Sequence, residues 1–372
     1  MNKKIYENMS KHNLGLSKYA CKDEDAIRFK DIAMDYRPPF FRDTDKIVYS
    51  LGYTRYINKT QVFSNALNDM VSKRITHVQM VSKIARTIGR ALNLNEDLIE
   101  AASLGHDLGH VPIGHVGEKI LNDISLKNNE GYFNHNVQSV HLLMDIENGG
   151  NGQNLTIQVL DAILCHNGEI LENVYKPEKK SKEQFLDEYK MSYKDKDILK
   201  KIRPMTLEGC VVRISDVIAY IGRDIEDAIR MGIISKDLIP SNIALKLGTT
   251  NSSIVNTLVS DIIENSIDKN YIKISDELFG VFKELLDFNY RNIYYKSNTE
   301  EEIKKYTLMF NKLFGLYVEQ IENNKTDSDI FEYFLKYKNT EYNSNTSARK
   351  AIDFIAGMTD NYFIRQYNKY FG

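Results

Sequence analysis

The sequence predicts an all-α protein, and three observations carry that expectation. Only 6 prolines and 20 glycines punctuate 372 residues. Apolar residues recur at three- and four-residue intervals over long stretches, and the period-two alternation of half-buried strands is hard to find. Residues 75–92 present Ile75, Val78, Val81, Ile84, Ala85, Ile88 and Leu92 on one helical face, with Lys83, Arg86 and Arg90 outside it. Residues 93–95 end that helix. Residues 96–108 (EDLIEAASLGHDL) are apolar nearly all round, so this helix is expected at the centre of the domain. Gly109, Pro112 and Gly114 then predict a tight loop, and residues 115–123 the start of the next helix. Residues 156–166 read as another helix, ending near Asn167-Gly168. The charged stretch 172–201 reads as an exposed insertion, either a lid or, more simply, a solvated excursion. Residues 207–231 form a long helix broken at Gly232. From about Leu245 onward, helical stripes alternate with polar turns.

Composition excludes several classes. With 42% hydrophobic and 27% charged residues the chain can bury a sizeable core. A formal charge of -2 provides no global basic field for nucleic acid or anionic membrane, so an anionic ligand must be held locally. Cys21, Cys165 and Cys210 are too few and too widely spaced for a disulfide framework or a zinc finger, and read as buried thiols in a reducing compartment. The N-terminal segment lacks the apolar core of a signal peptide, and no run of about 18 apolar residues occurs, so no membrane span is expected and the location expected is cytoplasmic.

The chemistry is concentrated in one region. Five of the eight histidines, His77, His106, His110, His115 and His135, fall within sixty residues that also hold Asp107 and Glu118. A carboxylate at Asp107, in so apolar a helix, needs a compensating cation. A divalent metal ion supplies it, and a His from a neighbouring helix plus another Asp would complete a mixed nitrogen and oxygen ligand set. His77 and Asp216, each in a helix of matching character, are the candidates. Such a set suits Mn, Mg, Fe, Co, Ni or Zn. His141 and His166 fit the pattern less clearly and are expected either to be structural or to stand behind the residues that touch the metal, and His12 to be exposed.

The arrangement His77, His106-Asp107, Asp216 resembles the HD-domain metal-dependent phosphohydrolases. The segments KTQVF (59–63), RITH (74–77), LGHDLGHVPIGHVGE (104–118), FNHN (133–136), RISDVIAYIGRDIEDA (213–228) and DFIAGMTD (353–360) are similar, in order, to the deoxynucleoside triphosphate triphosphohydrolases typified by dGTPase. The sequence departs from that pattern in ITHVQMV for LTHSLEV, in VPIGH for PPFGH, and in the charged insertion. The resemblance implies an HD-domain helical bundle with additional C-terminal helices: an N-terminal segment 1–50, a core 51–235 carrying the insertion 172–203, and a C-terminal region 236–372 packed on it.

For activity it implies hydrolysis of a dNTP, with dGTP as the default, to deoxynucleoside and tripolyphosphate. The alternative is another HD-superfamily phosphodiesterase or nucleotidase. The metal is expected on His77, His106, Asp107 and Asp216. The departing 5′-oxygen needs a proton, and His115, with Glu118 three residues on to support its charge, is the expected general acid. His110 and His135 match further active-site histidines. Gln61 is expected at the sugar 3′-hydroxyl, Arg74 at phosphate, Tyr220 and Asp224 at the sugar and phosphate site, and Tyr294 or Tyr295 against the sugar. By the same resemblance the chain is expected to form a homo-oligomer, with single-stranded nucleic acid or a dNTP effector as further partners.

Overall fold

A computed structural model describes residues 3–33, 35–61, 72–167, 170–296 and 298–372. Val62 and Phe63 of the KTQVF segment and Gly168 lie outside the described residues, as does the side chain of His12. The longer helices are α1 (Pro39–Val48), α2 (Arg74–Ala91), α3 (Glu96–Gly105), α4 (Gly114–Lys127), α5 (His135–His141), α6 (Ile157–Leu164), α7 (Lys182–Met191), α8 (Leu207–Arg230), α9 (Asn251–Ser266), α10 (Asp276–Asn292), α11 (Glu300–Glu322), α12 (Ser347–Ala356) and α13 (Asp360–Phe371). Two short strands, β1 (Val174–Tyr175) and β2 (Ile272–Lys273), pair antiparallel. The fold is all-α, and no helix among the described residues is long and apolar enough to cross a membrane.

The site is held by α2, α3 and α8, whose apolar faces pack on one another. On α2, Val78, Val81, Ala85 and Ile88 are fully buried, as their spacing requires. Asn95 caps α3, its side chain accepting from the Asp97 and Leu98 amides, and fixes where that helix begins. The helix ends at Gly105, before His106, earlier than its apolar run suggests. Residues 106–109 continue as turns, so His106 and Asp107 leave the helix end and point inward. Ile113 (φ 64°) and Gly114 (φ 55°) then turn the chain sharply into α4. Gly109 is required by proximity: a Cβ there would strike the His135 carbonyl and the Ser139 amide of α5. Thr206 caps α8, accepting from the Gly209 amide.

The charged stretch is not the solvated excursion its composition suggests. Tyr175, Phe185, Tyr189 and Leu199 are buried. Lys180 is buried as well, donating to Asp161 (2.7 Å) and Glu188 (2.6 Å). A few apolar side chains at helical spacing anchor the segment, and the remaining lysines and glutamates coat its outer face.

Candidate metal centre and phosphate pocket

His77 on α2, His106 and Asp107 after α3, and Asp216 on α8 are all buried and meet at one point. His77 Nε2 lies 3.0 Å from Asp216 Oδ1 and 3.8 Å from Asp107 Oδ2. His106 Nε2 lies 3.4 Å from Asp107 Oδ1 and 3.6 Å from Asp216 Oδ1. Ligands about 2.1 Å from a shared ion stand roughly 3.0–3.4 Å apart, so this spacing fits a divalent cation. The donor chemistry fits too. His106 Nδ1 donates to the Ser103 carbonyl (2.6 Å), which turns Nε2 toward the two carboxylates, buried and without a hydrogen-bond partner among the described residues. Burial alone would raise the carboxyl pKa of Asp216, but His106 and His77 reverse this and hold it well below the usual carboxylate range. Asp107 is likewise held low by His106, Arg74 and His110 against the effect of burial. Both carboxylates are therefore ionised and could serve as ligands.

His166, expected from sequence to be structural or to stand behind the metal ligands, joins this cluster. Its Nδ1 donates to the Ile163 carbonyl (2.6 Å), as His106 does to Ser103, and its Nε2 stands 3.2 Å from His135 Nε2 and 3.9 Å from Asp107 Oδ1. His106, His166 and Asp216 can hold an ion as a group, as can Asp107, His110 and His135. Burial, with His106 and His135 nearby, pushes His166 down to about 3, so it is neutral. His141 sits elsewhere, bonded to Asp145 (2.9 Å) and Asp353 (3.0 Å). All three cysteines are buried.

Glu118 organises the other histidines. One oxygen accepts from the backbone amide of His135 (2.7 Å) and faces its Nδ1 (2.9 Å); the other faces His115 Nδ1 (3.3 Å). The expected His115–Glu118 pairing is therefore present, but Glu118 is shared, and its tighter partner is His135. Against burial, His135 and His115 hold the Glu118 carboxyl well below its ordinary value. His110 stacks on His135 with ring centroids 4.0 Å apart. Burial, Arg74 and His135 push His110 well below the ordinary histidine range, so it is neutral. His115, its side chain 63% exposed, stands at the rim.

His77, Asp107, His110, His115, Glu118, His135 and Asp216 line a cavity of about 630 Å³, roomy enough for a nucleotide. Gln61 lines it, with a buried Oε1 that has no hydrogen-bond partner among the described residues. Arg74 pairs with Asp107 and reaches the carbonyls of Thr60 (3.3 Å) and Gln61 (3.5 Å), so one Asp107 oxygen is neutralised while the other faces the histidines. Tyr220 and Asp224, one and two turns beyond Asp216, also line the cavity. Tyr294 donates to Asp224 (2.8 Å), and burial pushes Asp224 up to about 7. Tyr295 lines the same wall but is 76% exposed.

Comparison with known proteins agrees with this geometry. A family profile described as HD domain matches residues 74–221, and one described as phosphohydrolase-associated domain matches residues 272–369. The deoxyguanosinetriphosphate triphosphohydrolase-like protein of Desulfatibacillum aliphaticivorans is 36% identical over 341 residues, covering 90% of this chain and 88% of that one. Proteins of the same description from Clostridium perfringens (strain 13 / Type A) and Caldanaerobacter subterraneus subsp. tengcongensis are 37% and 34% identical, over 90% and 96% of this chain and 87% and 92% of theirs. With such identity across nearly the full length of these relatives, the chain belongs to the deoxyguanosinetriphosphate triphosphohydrolase-like family of HD-domain proteins.

Proposed function

We propose that the protein is a divalent-metal-dependent dNTP triphosphohydrolase, with dGTP as the default substrate, releasing deoxynucleoside and tripolyphosphate. The observation that carries this reading is the meeting of His77, His106, Asp107 and Asp216 at one wall of a nucleotide-sized cavity, with a second histidine group across from it. A bound cation supplies Lewis-acid polarisation at the α-phosphate and lowers the pKa of water in its coordination shell.

The chain's own residues do the rest. His115 donates a proton to the departing 5′-oxygen, which would otherwise leave as an alkoxide, and Glu118 offsets the positive charge on the protonated ring. Glu118 also holds His135, and the neutral His110 stacks on that ring and keeps it in place. Gln61 offers its amide oxygen, which has no partner among the described residues, to the sugar 3′-hydroxyl. Arg74 is placed to share its guanidinium between Asp107 and a phosphate oxygen. Tyr220, Asp224 and Tyr294 form the sugar wall. The domain division at residues 50 and 235, a cytoplasmic location suited to a dNTP substrate, and homo-oligomeric assembly belong to the same reading. A single-stranded nucleic acid or dNTP effector rests on family resemblance alone.

The test is incubation of the full chain with each dNTP and Mn or Mg, with products identified by mass. Deoxynucleoside plus tripolyphosphate is the expected pair. A nucleoside monophosphate with pyrophosphate, or inorganic phosphate, would replace this reading with a phosphodiesterase or nucleotidase one.

A further inference from the structure

Away from the histidine pocket, a cavity of about 370 Å³ lies between the segment carrying Arg55 and the region of α12 and α13. Arg55 is only partly exposed, and its guanidinium makes no hydrogen bond or ion pair among the described residues. Burial pushes its pKa down, countered by Glu147, whose carboxylate is already engaged by the Gly52 amide at 2.9 Å. Glu147 thus supplies a nearby opposite charge but no direct contact, and withdrawing a guanidinium from bulk water without an acceptor for its N–H groups is costly. The fold nevertheless makes room for it: a Cβ at Gly357 would meet Arg55 Nη1 at 2.5 Å.

The other walls supply matching chemistry. Arg365 lines the cavity with its guanidinium 5.8 Å from the Tyr362 ring centroid and has no ion-pair partner among the described residues. The Tyr362 hydroxyl is buried and has no hydrogen-bond partner among those residues. Tyr333 and Phe334 add aromatic surface. Asp353, the carboxylate in the lining, is committed: one oxygen accepts from Gln138 (3.0 Å), and the other meets His141 (3.0 Å) and the Tyr342 hydroxyl (2.8 Å).

The geometry points to a second ligand site, distinct from the histidine pocket, that takes a small phosphate-bearing anion. Two guanidiniums donate to its oxygens, as a planar guanidinium fork suits phosphate, and the charge of a phosphate dianion matches the two arginines. Tyr333 and Phe334 offer a face to any ring that carries the phosphate. The cavity wall at Gly357 to Thr359 runs directly into Asp360, which accepts from the Thr60 amide (2.9 Å), the Thr60 hydroxyl (2.7 Å) and the Ile113 amide (2.9 Å). This short connection to Gln61 makes an active-site control necessary in any test.

The experiment measures binding of inorganic phosphate and of deoxyguanosine monophosphate to the metal-loaded full chain by calorimetry. It compares wild type with Arg55→Met, Arg365→Gln and the control Arg74→Met. Arg365→Gln, at an exposed position, is expected to fold normally and weaken phosphate binding about tenfold, the loss of one charge-assisted contact. Arg55→Met is expected to weaken it further, and Arg74→Met to leave this class of site in place. Tighter binding of the monophosphate, lost in Tyr333→Ala, would identify a ring-bearing ligand; equal binding would identify the free anion. Phosphate affinity unchanged in Arg365→Gln, absent in the wild type at millimolar concentration, or lost only in Arg74→Met overturns the proposal. Should Arg55→Met fail to fold, Arg365→Gln decides alone.

Discussion

Replacing His115 by alanine separates proton donation from everything else the site does. The His115 side chain is 63% exposed, and its polar contact among the described residues is the one with Glu118 at 3.3 Å. Among the described residues it belongs to none of the clusters that could hold an ion. Its loss should therefore change folding stability by no more than about 0.5 kcal/mol and leave metal affinity intact. The catalytic cost is different in kind. A general acid is typically worth about 10²–10⁴-fold, or roughly 3–5 kcal/mol of barrier at about 1.4 kcal/mol per decade. The assay is kcat with dGTP and with p-nitrophenyl triphosphate, both in Mn. The phenolate needs no protonation to depart, so the His115→Ala deficit should shrink to within about tenfold on that substrate. An equal deficit on both substrates, or loss of metal in the variant, refutes the role given to His115.

Three further perturbations address other parts of the account. Gln61→Ala should lower kcat/KM for dGTP about tenfold, the scale of one hydrogen bond, and should have no effect on the 3′-deoxy analogue; steady-state kinetics with both substrates checks this. Gly109→Ala drives a Cβ into the backbone of α5. It should cost about 1–3 kcal/mol, read as a lowered Tm, and should reduce turnover by displacing His110 and His135 together. Glu208, fully buried, has its pKa raised from 4.5 to about 7 by burial, although the amides of Asn95 (3.1 Å) and Cys21 (2.9 Å) bond its carboxylate. A carboxyl with a raised folded pKa binds more protons folded than unfolded between those two values, so stability falls as pH climbs through that window and levels off above it. Glu208→Gln keeps an acceptor for both amides and should remove on the order of 3 kcal/mol of this pH dependence, measured by urea unfolding at pH 5 and pH 8.

The parts of the fold legible in sequence were those where burial is periodic. The stripe of Val78, Val81, Ala85 and Ile88 and the long apolar face around Asp216 leave no other secondary structure open. The metal candidates were legible for a related reason, since His106-Asp107 in so apolar a run demands a partner. His166 was passed over because it stands alone at the end of an apolar helix, with no carboxylate beside it. A signal existed: like His106, it closes an apolar run, three residues beyond the carbonyl that fixes its tautomer. The charged stretch misled because average polarity hides spacing. Phe185 and Tyr189, four residues apart, already mark a buried face. That Glu118 would serve His135 more closely than His115 depends on α5 crossing the start of α4, a tertiary fact with no local imprint.

The most direct test of the central claim is the binding of Mn to the wild type and to Asp107→Ala and Asp216→Ala, followed by the electron paramagnetic resonance of the free ion. Saturable binding in the wild type, lost in both variants while their circular dichroism stays helical, is the expected result. Folded variants that bind Mn as the wild type does would contradict the convergence of these side chains on one cation.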